Sequence, residues 1–317
     1  MNSSPEVLID TNLSLPLFRR GKVRDVYDVG DKLLIVSTDR ISAFDVVLPC
    51  GIPDKGRVLN QLSAFWFKET ANILPNHVIK AIDNEGTLLD VIGRAERPMQ
   101  SRWKGDSSLT LGTSLVGRSM LVARADRIPV ECVVRGYLSG SAWAEYKETG
   151  EVSGISLPRG MAESQELSQP IFTPTTKSET EHDRPLTVQD IKDLGIGNIF
   201  KELEQKSLLI YGYARDYARS RGIIIADTKF EFGFINGKLA LIDELLTPDS
   251  SRFWEVSQYE VGHSQPSFDK QPVRDWLAAS GWDKAPPAPM LPKEVIERTS
   301  KRYREVYRKL TGAVLNR

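Results

Sequence analysis

IIIADTKFEFGFINGKLALIDELLTPDSSRFW, residues 223–254, is the stretch on which the reading of this chain turns. It opens on Ile223, Ile224 and Ile225, a β-branched run suited to a strand, and then sets Asp227, Lys229 and Glu231 at alternate positions. Alternate side chains of a strand share a face, so the three charges line up together. Asn236-Gly237 follows, with a second apolar run at 239–242 behind it. Asn-Gly between two apolar runs is the strongest short-range signal for a hairpin. The second run delivers Asp243 and Glu244, so the hairpin carries a lysine and several carboxylates into a small volume.

Register decides which of these groups meet, because a slip of one residue sends a side chain to the other face. With Asn236-Gly237 alone as the turn, Ile235 pairs with Lys238, Glu231 sits opposite Ile242, and Asp243 points away. With a three-residue loop 235–237 and Gly237 left-handed, Lys229 sits opposite Asp243 and Glu231 shares their face. The second register is expected here. Two carboxylates beside a lysine then suit a hard divalent cation that holds a phosphate chain. The alternative for an isolated Asp-x-Lys-x-Glu is a solvated strand face with ordinary ion pairs.

Asp227 to Gly233, then Asp243-Glu244, then Pro248-Asp249-Ser250-Ser251-Arg252-Phe253-Trp254, resemble the phosphoribosylaminoimidazole-succinocarboxamide synthase (SAICAR synthetase) family. A second run, PVECVVRGYLSGS at 129–141, resembles the same family. Further matches at 21–27, 172–183 and 267–277 spread the likeness over most of the chain. Ser139 stands where the family usually has threonine or alanine. The resemblance implies an α+β, two-lobed fold: an N-terminal antiparallel-sheet lobe with a kinase-like nucleotide-binding hairpin, and a C-terminal ATP-grasp-like lobe. It also implies an ATP-dependent ligase of purine biosynthesis, joining the carboxylate of carboxyaminoimidazole ribotide (CAIR) to the amine of L-aspartate.

Composition agrees with a soluble globular protein. Hydrophobic residues make up 40% and charged residues 26% of 317, ordinary values for a globular protein with a sizeable core. Lys plus Arg equals Asp plus Glu at 42 each, so no global field recruits nucleic acid or an acidic membrane, and phosphate binding has to be local. Cys50 and Cys132 are far apart, which excludes a disulfide framework and a cysteine-rich zinc site. Residues 1–16 lack the basic-then-apolar pattern of a secretory signal, and no run approaches a membrane span. A reducing, cytoplasmic setting and a monomer are expected. The expected domains are 1–126, 127–284, and a linker with a packed C-terminal helix at 285–317.

Along the first lobe, Gly21, Lys22 and Arg24 precede an apolar strand, with Lys22 and Arg24 expected on one strand face. A glycine beside alternating cations can lay backbone N–H groups and positive charge along a triphosphate; read alone, such residues are more often a solvated strand face. The Walker pattern G-x-x-x-x-G-K-[ST] is absent, which excludes a P-loop NTPase. A polar loop is expected at 37–45, an amphipathic helix at 56–70, and short strands and turns over 79–120. In the second lobe the reading gives a strand at 127–135, a mobile loop at 172–183 containing Lys177 and His182, and helices at 188–194 and 199–222. Two more helices, one running to Leu277 and one at 294–310, close the chain. The last is basic enough to suggest RNA, but its apolar face, with Tyr303, Val306 and Leu310, argues for packing on the body.

The resemblance assigns roles. Lys229, Glu231 and Asp243 are the expected catalytic set, with Glu231 and Asp243 holding Mg²⁺ and Lys229 facing the phosphoryl group in transfer. Gly21, Lys22, Arg24 and Glu131 go to ATP. Arg135, Ser141, Arg252 and Asp249 go to the ribotide and chiefly its phosphate; Ser42, Asp45 and Lys177 complete the substrate contacts. Competing readings are a phosphotransferase acting on another small acid, and a nucleotide-binding regulator without turnover.

Overall fold

The computed structural model describes residues 7–95, 114–177 and 184–316. His182 and the rest of 178–183 lie outside the described residues, so the loop expected there is described only to Lys177. The chain forms two compact units, the first from Met1–Phe65, His77–Arg124 and Asp269–Arg317, the second from Trp66–Asn76 and Ala125–Phe268. This division differs from cuts at 126 and 284. The chain returns to the first unit at Asp269, well before the proline-rich stretch that suggested a boundary, because a hydrophobic cluster described below holds it there.

In the first unit, β1 (Leu17–Arg20), β2 (Arg24–Val29) and β3 (Lys32–Ser37) form a meander. The β1–β2 connection is tight, the Gly21 N–H donating to the Arg24 carbonyl at 2.7 Å. Lys22 therefore sits in a turn while Arg24 opens β2, and the expectation that they share a strand face is corrected: alternation holds only inside the ladder. The polar loop expected at 37–45 is also corrected. Ile41 and Ala43 are buried with Ser42 between them, the period of a strand, and β4 (Arg40–Ala43) pairs with β5 (Val46–Gly51) around a Phe44-Asp45 tip. Helix α1 (Lys55–Glu69) follows, as the spacing of Leu59, Leu62 and Trp66 requires.

β6 (Val78–Ile82), α2 (Glu85–Ala95) and β7 (Ser119–Ala123) come next. Helix α2 replaces strands and turns expected there; its Leu88, Val91 and Ile92 pack at helical spacing against Tyr27, Leu34 and Val36. The antiparallel sheet runs β1-β2-β3-β7-β6.

The second unit holds β8 (Asp126–Arg127), β9 (Val130–Tyr137), α3 (Ser141–Thr149), the β10 (Glu151–Val152) and β11 (Ile155–Ser156) hairpin, β12 (Glu166–Phe172) and β13 (Thr175–Thr176). Then come α4 (Val188–Asp193), started by a Thr187–Asp190 capping box, and α5 (Gly197–Arg219). β14 (Ile223–Ile235), β15 (Lys238–Ile242) and β16 (Ser251–Glu255) complete it.

Strand β14 organises this unit, pairing antiparallel with β8, β9, β15 and β16. Its inner face presents Thr228, Phe230 and Phe232, all buried; each aromatic contributes roughly 1.5–3 kcal/mol of burial. The other face carries Asp227, Lys229 and Glu231. Helix α5 backs the strand, and its Tyr211 hydroxyl donates to the Ile225 carbonyl at 2.7 Å.

The β14–β15 register is the first of the two considered. Ile235 pairs with Lys238 and Glu231 with Ile242, so the three-residue loop with its bulge is corrected. Asn236 and Gly237 have φ of 50° and 74°, both left-handed as a type I′ turn requires. Asparagine tolerates that region and glycine takes it freely, so two residues suffice. Lys229 therefore does not face Asp243. Asp243 lies beyond the ladder with a φ of 70°, where strand alternation no longer governs its side chain.

The chain finally returns to the first unit with α6 (Gln271–Ala279) and α7 (Lys293–Thr311). Val273, Leu277 and Leu291 share a core cluster with Ile41, Ala43, Leu48 and Ile52.

Candidate active site

Across β9 and β14 the antiparallel register sets Asp227 opposite Arg135 and Lys229 opposite Val133. Residues directly opposite share a face, so the charged face of β14 continues onto β9 as Arg135 and Glu131. The Lys229 ammonium donates diagonally to both oxygens of Glu131, at 3.0 and 3.2 Å. Lys177 follows β13, itself paired with β9 at Glu131. Its ammonium pairs with Glu231 and lies 3.6 Å from Glu131. One cation thus serves both carboxylates.

Two residues back along the strand the charges reverse. Asp227 takes Arg135 Nη1 on one side at 3.3 Å and Arg252, directly opposite it on β16, on the other. Arg135 is oriented further by Nε donating to Thr173 Oγ1 at 3.0 Å and Nη2 donating to Ser141 Oγ at 3.4 Å. Ser141 opens α3, whose preceding residue, Gly140, gives no side-chain cap. A Cβ on Gly140 would lie 2.2 Å from Arg252 Nη2, so only glycine lets the guanidinium reach the helix terminus. Two guanidinium groups, a hydroxyl and the amide end of a helix gather around one carboxylate.

Burial and charge pull Lys229 in opposite directions. Desolvation pushes its ammonium down, but Glu131, helped by Glu244 and Glu231, carries it above its ordinary value, so it is a cation at neutral pH. Arg135 is shifted down by burial, opposed by Asp227 and reinforced by the like charge of Arg252.

In the first unit, the β1–β2 turn is held from within. The Gly21 and Lys22 carbonyls accept from Arg40 Nη2 and Nε at 3.0 and 3.2 Å, and the Val23 carbonyl accepts from Thr38. Arg40 is anchored by Asp25 at 2.6 Å. In a trans peptide the N–H points opposite to its carbonyl. Inward carbonyls at Gly21 and Lys22 therefore turn the Lys22 and Val23 amides outward, an arrangement suited to an anion.

The structure thus brings together Arg135, Ser141 and Arg252, and separately Lys177, Lys229, Glu131 and Glu231. Lys22 and Asp45, expected on ATP and on substrate, pair with each other at 2.6 Å. Ser42 is half-buried on β4, and Asp249 sits in a turn closed by the Ser250 N–H on the Thr247 carbonyl at 3.1 Å. Glu131 was expected on ATP; here it partners Lys229. Three contributors went unassigned in the sequence: Asp227 as the carboxylate between two arginines, Thr173, and Gly140. The alternation flagged Asp227, while Gly140 and Thr173 lie inside the family-like runs at 129–141 and 172–183 with no role assigned.

No single set of three or more His, Cys, Asp or Glu side chains suited to a metal ion occurs among the described residues. A cation that shares its coordination with phosphate oxygens needs fewer protein ligands. The ammonium shared by Glu131 and Glu231 shows that two carboxylates reach one cation here.

Comparison with known proteins identifies the family. The SAICAR synthetase family pattern matches residues 17–289. Phosphoribosylaminoimidazole-succinocarboxamide synthase of Thermodesulfovibrio yellowstonii is 49% identical over 96% of this chain and 99% of its own length. That of Syntrophobacter fumaroxidans is 48% identical over 98% of each. Among solved structures, SAICAR synthase from Saccharomyces cerevisiae complexed with SAICAR is 41% identical, with a TM-score of 0.83 over 98% of this chain and 100% of that one. The chain belongs to the SAICAR synthetase family, ligases that join CAIR and aspartate at the expense of ATP to give SAICAR in purine biosynthesis.

Proposed function

We propose that this chain activates the CAIR carboxylate as an acyl phosphate, with the phosphate anchor and the phosphoryl-transfer groups on one strand face. A carboxylate resists attack by an amine, because its charge repels the nucleophile and oxide is a poor leaving group. A CAIR carboxylate oxygen attacks the γ-phosphorus and the bond to ADP breaks. The aspartate amine then attacks the acyl carbon, phosphate leaves with the bonding pair, and the amine loses a proton to solvent. Catalysis of this kind is mostly positioning and charge neutralisation.

Arg135, Arg252 and Ser141 bind the ribotide phosphate, with Asp249 nearby in sequence. Lys229 stands one strand period away, roughly 7 Å along β14, and offsets charge on the phosphoryl group in flight. Gly21, Lys22 and Arg24 take the triphosphate through the outward amides and side chains of their turn; Glu131 holds Lys229 in its charged form. Glu231 and Asp243 would hold Mg²⁺, which when bound supplies charge neutralisation on the phosphate oxygens. Ser42, Asp45 and Lys177 belong to the substrate contacts. The chain acts as a monomer on small molecules.

The observation that carries this reading is the division of one strand face into an arginine pair around Asp227 and a lysine–carboxylate group around Lys229. A coupled assay with ATP, Mg²⁺, CAIR and L-aspartate, omitting each in turn, tests it. Product should require all four. Asp243→Asn should abolish product and lower Mg²⁺ affinity in calorimetry while leaving the melting temperature near that of the parent; unchanged metal binding would remove Asp243 from the metal site.

A further inference from the structure

The β4–β5 hairpin turns on Phe44 and Asp45, whose φ values are 51° and 65°. Both central positions of this turn are left-handed, and neither is glycine or asparagine. A bulky side chain is an outlier there and persists only where its surroundings fix it. Those surroundings come from the far end of the sequence. The Phe44 ring lies 6.4 Å from that of Trp282, and the Lys284 ammonium stands 4.8 Å over the same ring. Trp282 is itself fixed, its indole N–H donating to the Ala285 carbonyl at 2.7 Å. With Trp276 it packs on the cluster that unites Ile41, Ala43 and Leu48 of the hairpin with Val273 and Leu277 of α6.

The next residue, Asp45, accepts from the Lys22 ammonium at 2.6 Å. Both partners are largely exposed, so the pair contributes little stability. Its effect is to set where the ammonium of the phosphate turn rests. We propose that Trp282 and Lys284 are positioning residues: they hold the Phe44-Asp45 tip left-handed and thereby place Asp45 beside Lys22. This rests on the assignment of Lys22 and Asp45 to ligand contacts. The C-terminal segment then tunes substrate affinity without touching the reacting atoms.

The full-length chain and its Lys284→Gln, Lys284→Arg, Trp282→Ala and Lys22→Ala variants should be compared in two measurements. Hydrogen exchange at the amides of 44–46 should quicken about two- to fivefold in Lys284→Gln, as expected for loss of an exposed cation–π contact, and more in Trp282→Ala. Lys284→Arg, which keeps a cation over the ring, should restore the parent rate. In steady-state assays Lys284→Gln should raise KM by a similar factor with kcat unchanged. Parent-like exchange in Lys284→Gln, or an arginine variant no better than glutamine, overturns the proposal. Should Trp282→Ala unfold, the exposed Lys284 pair decides alone. Lys22→Ala separates the two layers: an unchanged KM for ATP would refute the Lys22 assignment, while exchange at the tip still tests the strap.

Discussion

Both units bury charge, but they do so in opposite ways. In the first, Asp25 and Asp39 have fully buried side chains, and their oxygens are taken by the protein itself. Asp25 accepts from Arg40 at 2.6 Å and from Thr11 at 2.5 Å; Asp39 accepts from the Leu8 and Gly56 amides at 2.8 Å each and pairs with Arg118 at 3.0 Å. In the second, around Lys229, the carboxylate is buried while the cation reaches outward: Lys229 has 43% of its side chain exposed and Glu131 only 9%. A saturated buried pair holds a backbone in place. A buried carboxylate under a half-exposed cation presents that cation to an anion. The first arrangement holds the Gly21–Lys22 turn, and the second is the one proposed to meet ligand.

The largest expected effect would break that distinction. Asp25→Ala should cost about 3–5 kcal/mol in denaturant unfolding, because it strands Arg40 without its partner. A stable Asp25→Ala protein that had lost only activity would show that the first cluster is not scaffolding. Next, Lys229→Met should lower kcat about 10²- to 10³-fold, the range seen when a donor to transition-state charge is removed, with a loss of unfolding free energy well below that of Asp25→Ala. A stability loss as large as that of Asp25→Ala would make Lys229 structural.

Arg135→Ala sharpens the comparison within the second unit. Its KM for CAIR should rise by roughly 10- to 100-fold, the worth of a charge-assisted hydrogen bond, while KM for ATP stays near the parent value. Equal rises would remove Arg135 from the phosphate anchor. The smallest effect concerns pH. Lys229 has a folded pKa above its ordinary 10.5, so its pairing stabilises fully below 10.5 and is lost as pH climbs through the raised value. The melting-temperature gap between parent and Lys229→Met should be constant from neutral pH to about 10 and narrow above 10.5. A gap that widens at high pH would contradict the pairing with Glu131.

Much of the second unit was legible because its signals are local. The helices expected at 188–194 and 199–222 are α4 and α5, and Leu203, Ile210 and Tyr211 at helical spacing are buried on the second. The β14–β15 register departs from the three-residue loop because Asn236 and Gly237 both take the left-handed region, so two residues close the turn without a bulge. Helix α2 went unread although Leu88, Val91 and Ile92 are spaced for it. The return of 269–317 to the first unit was illegible, since its cause is a cluster joining Val273 and Leu277 to Ile41 and Leu48, more than two hundred positions away.

By itself the sequence determined that Asp227, Lys229 and Glu231 share a face, that the chain reverses at Asn236-Gly237, and that its motifs are those of SAICAR synthetases. The first two follow from backbone geometry within a few residues, and the third rests on resemblance. Only the tertiary structure decided that β9 lies beside β14, so that Glu131 answers Lys229 and Arg135 meets Asp227, and that Arg252 closes on the same carboxylate from β16. Strand pairing across about a hundred residues is set by which faces can be buried together, and no local pattern encodes the partner.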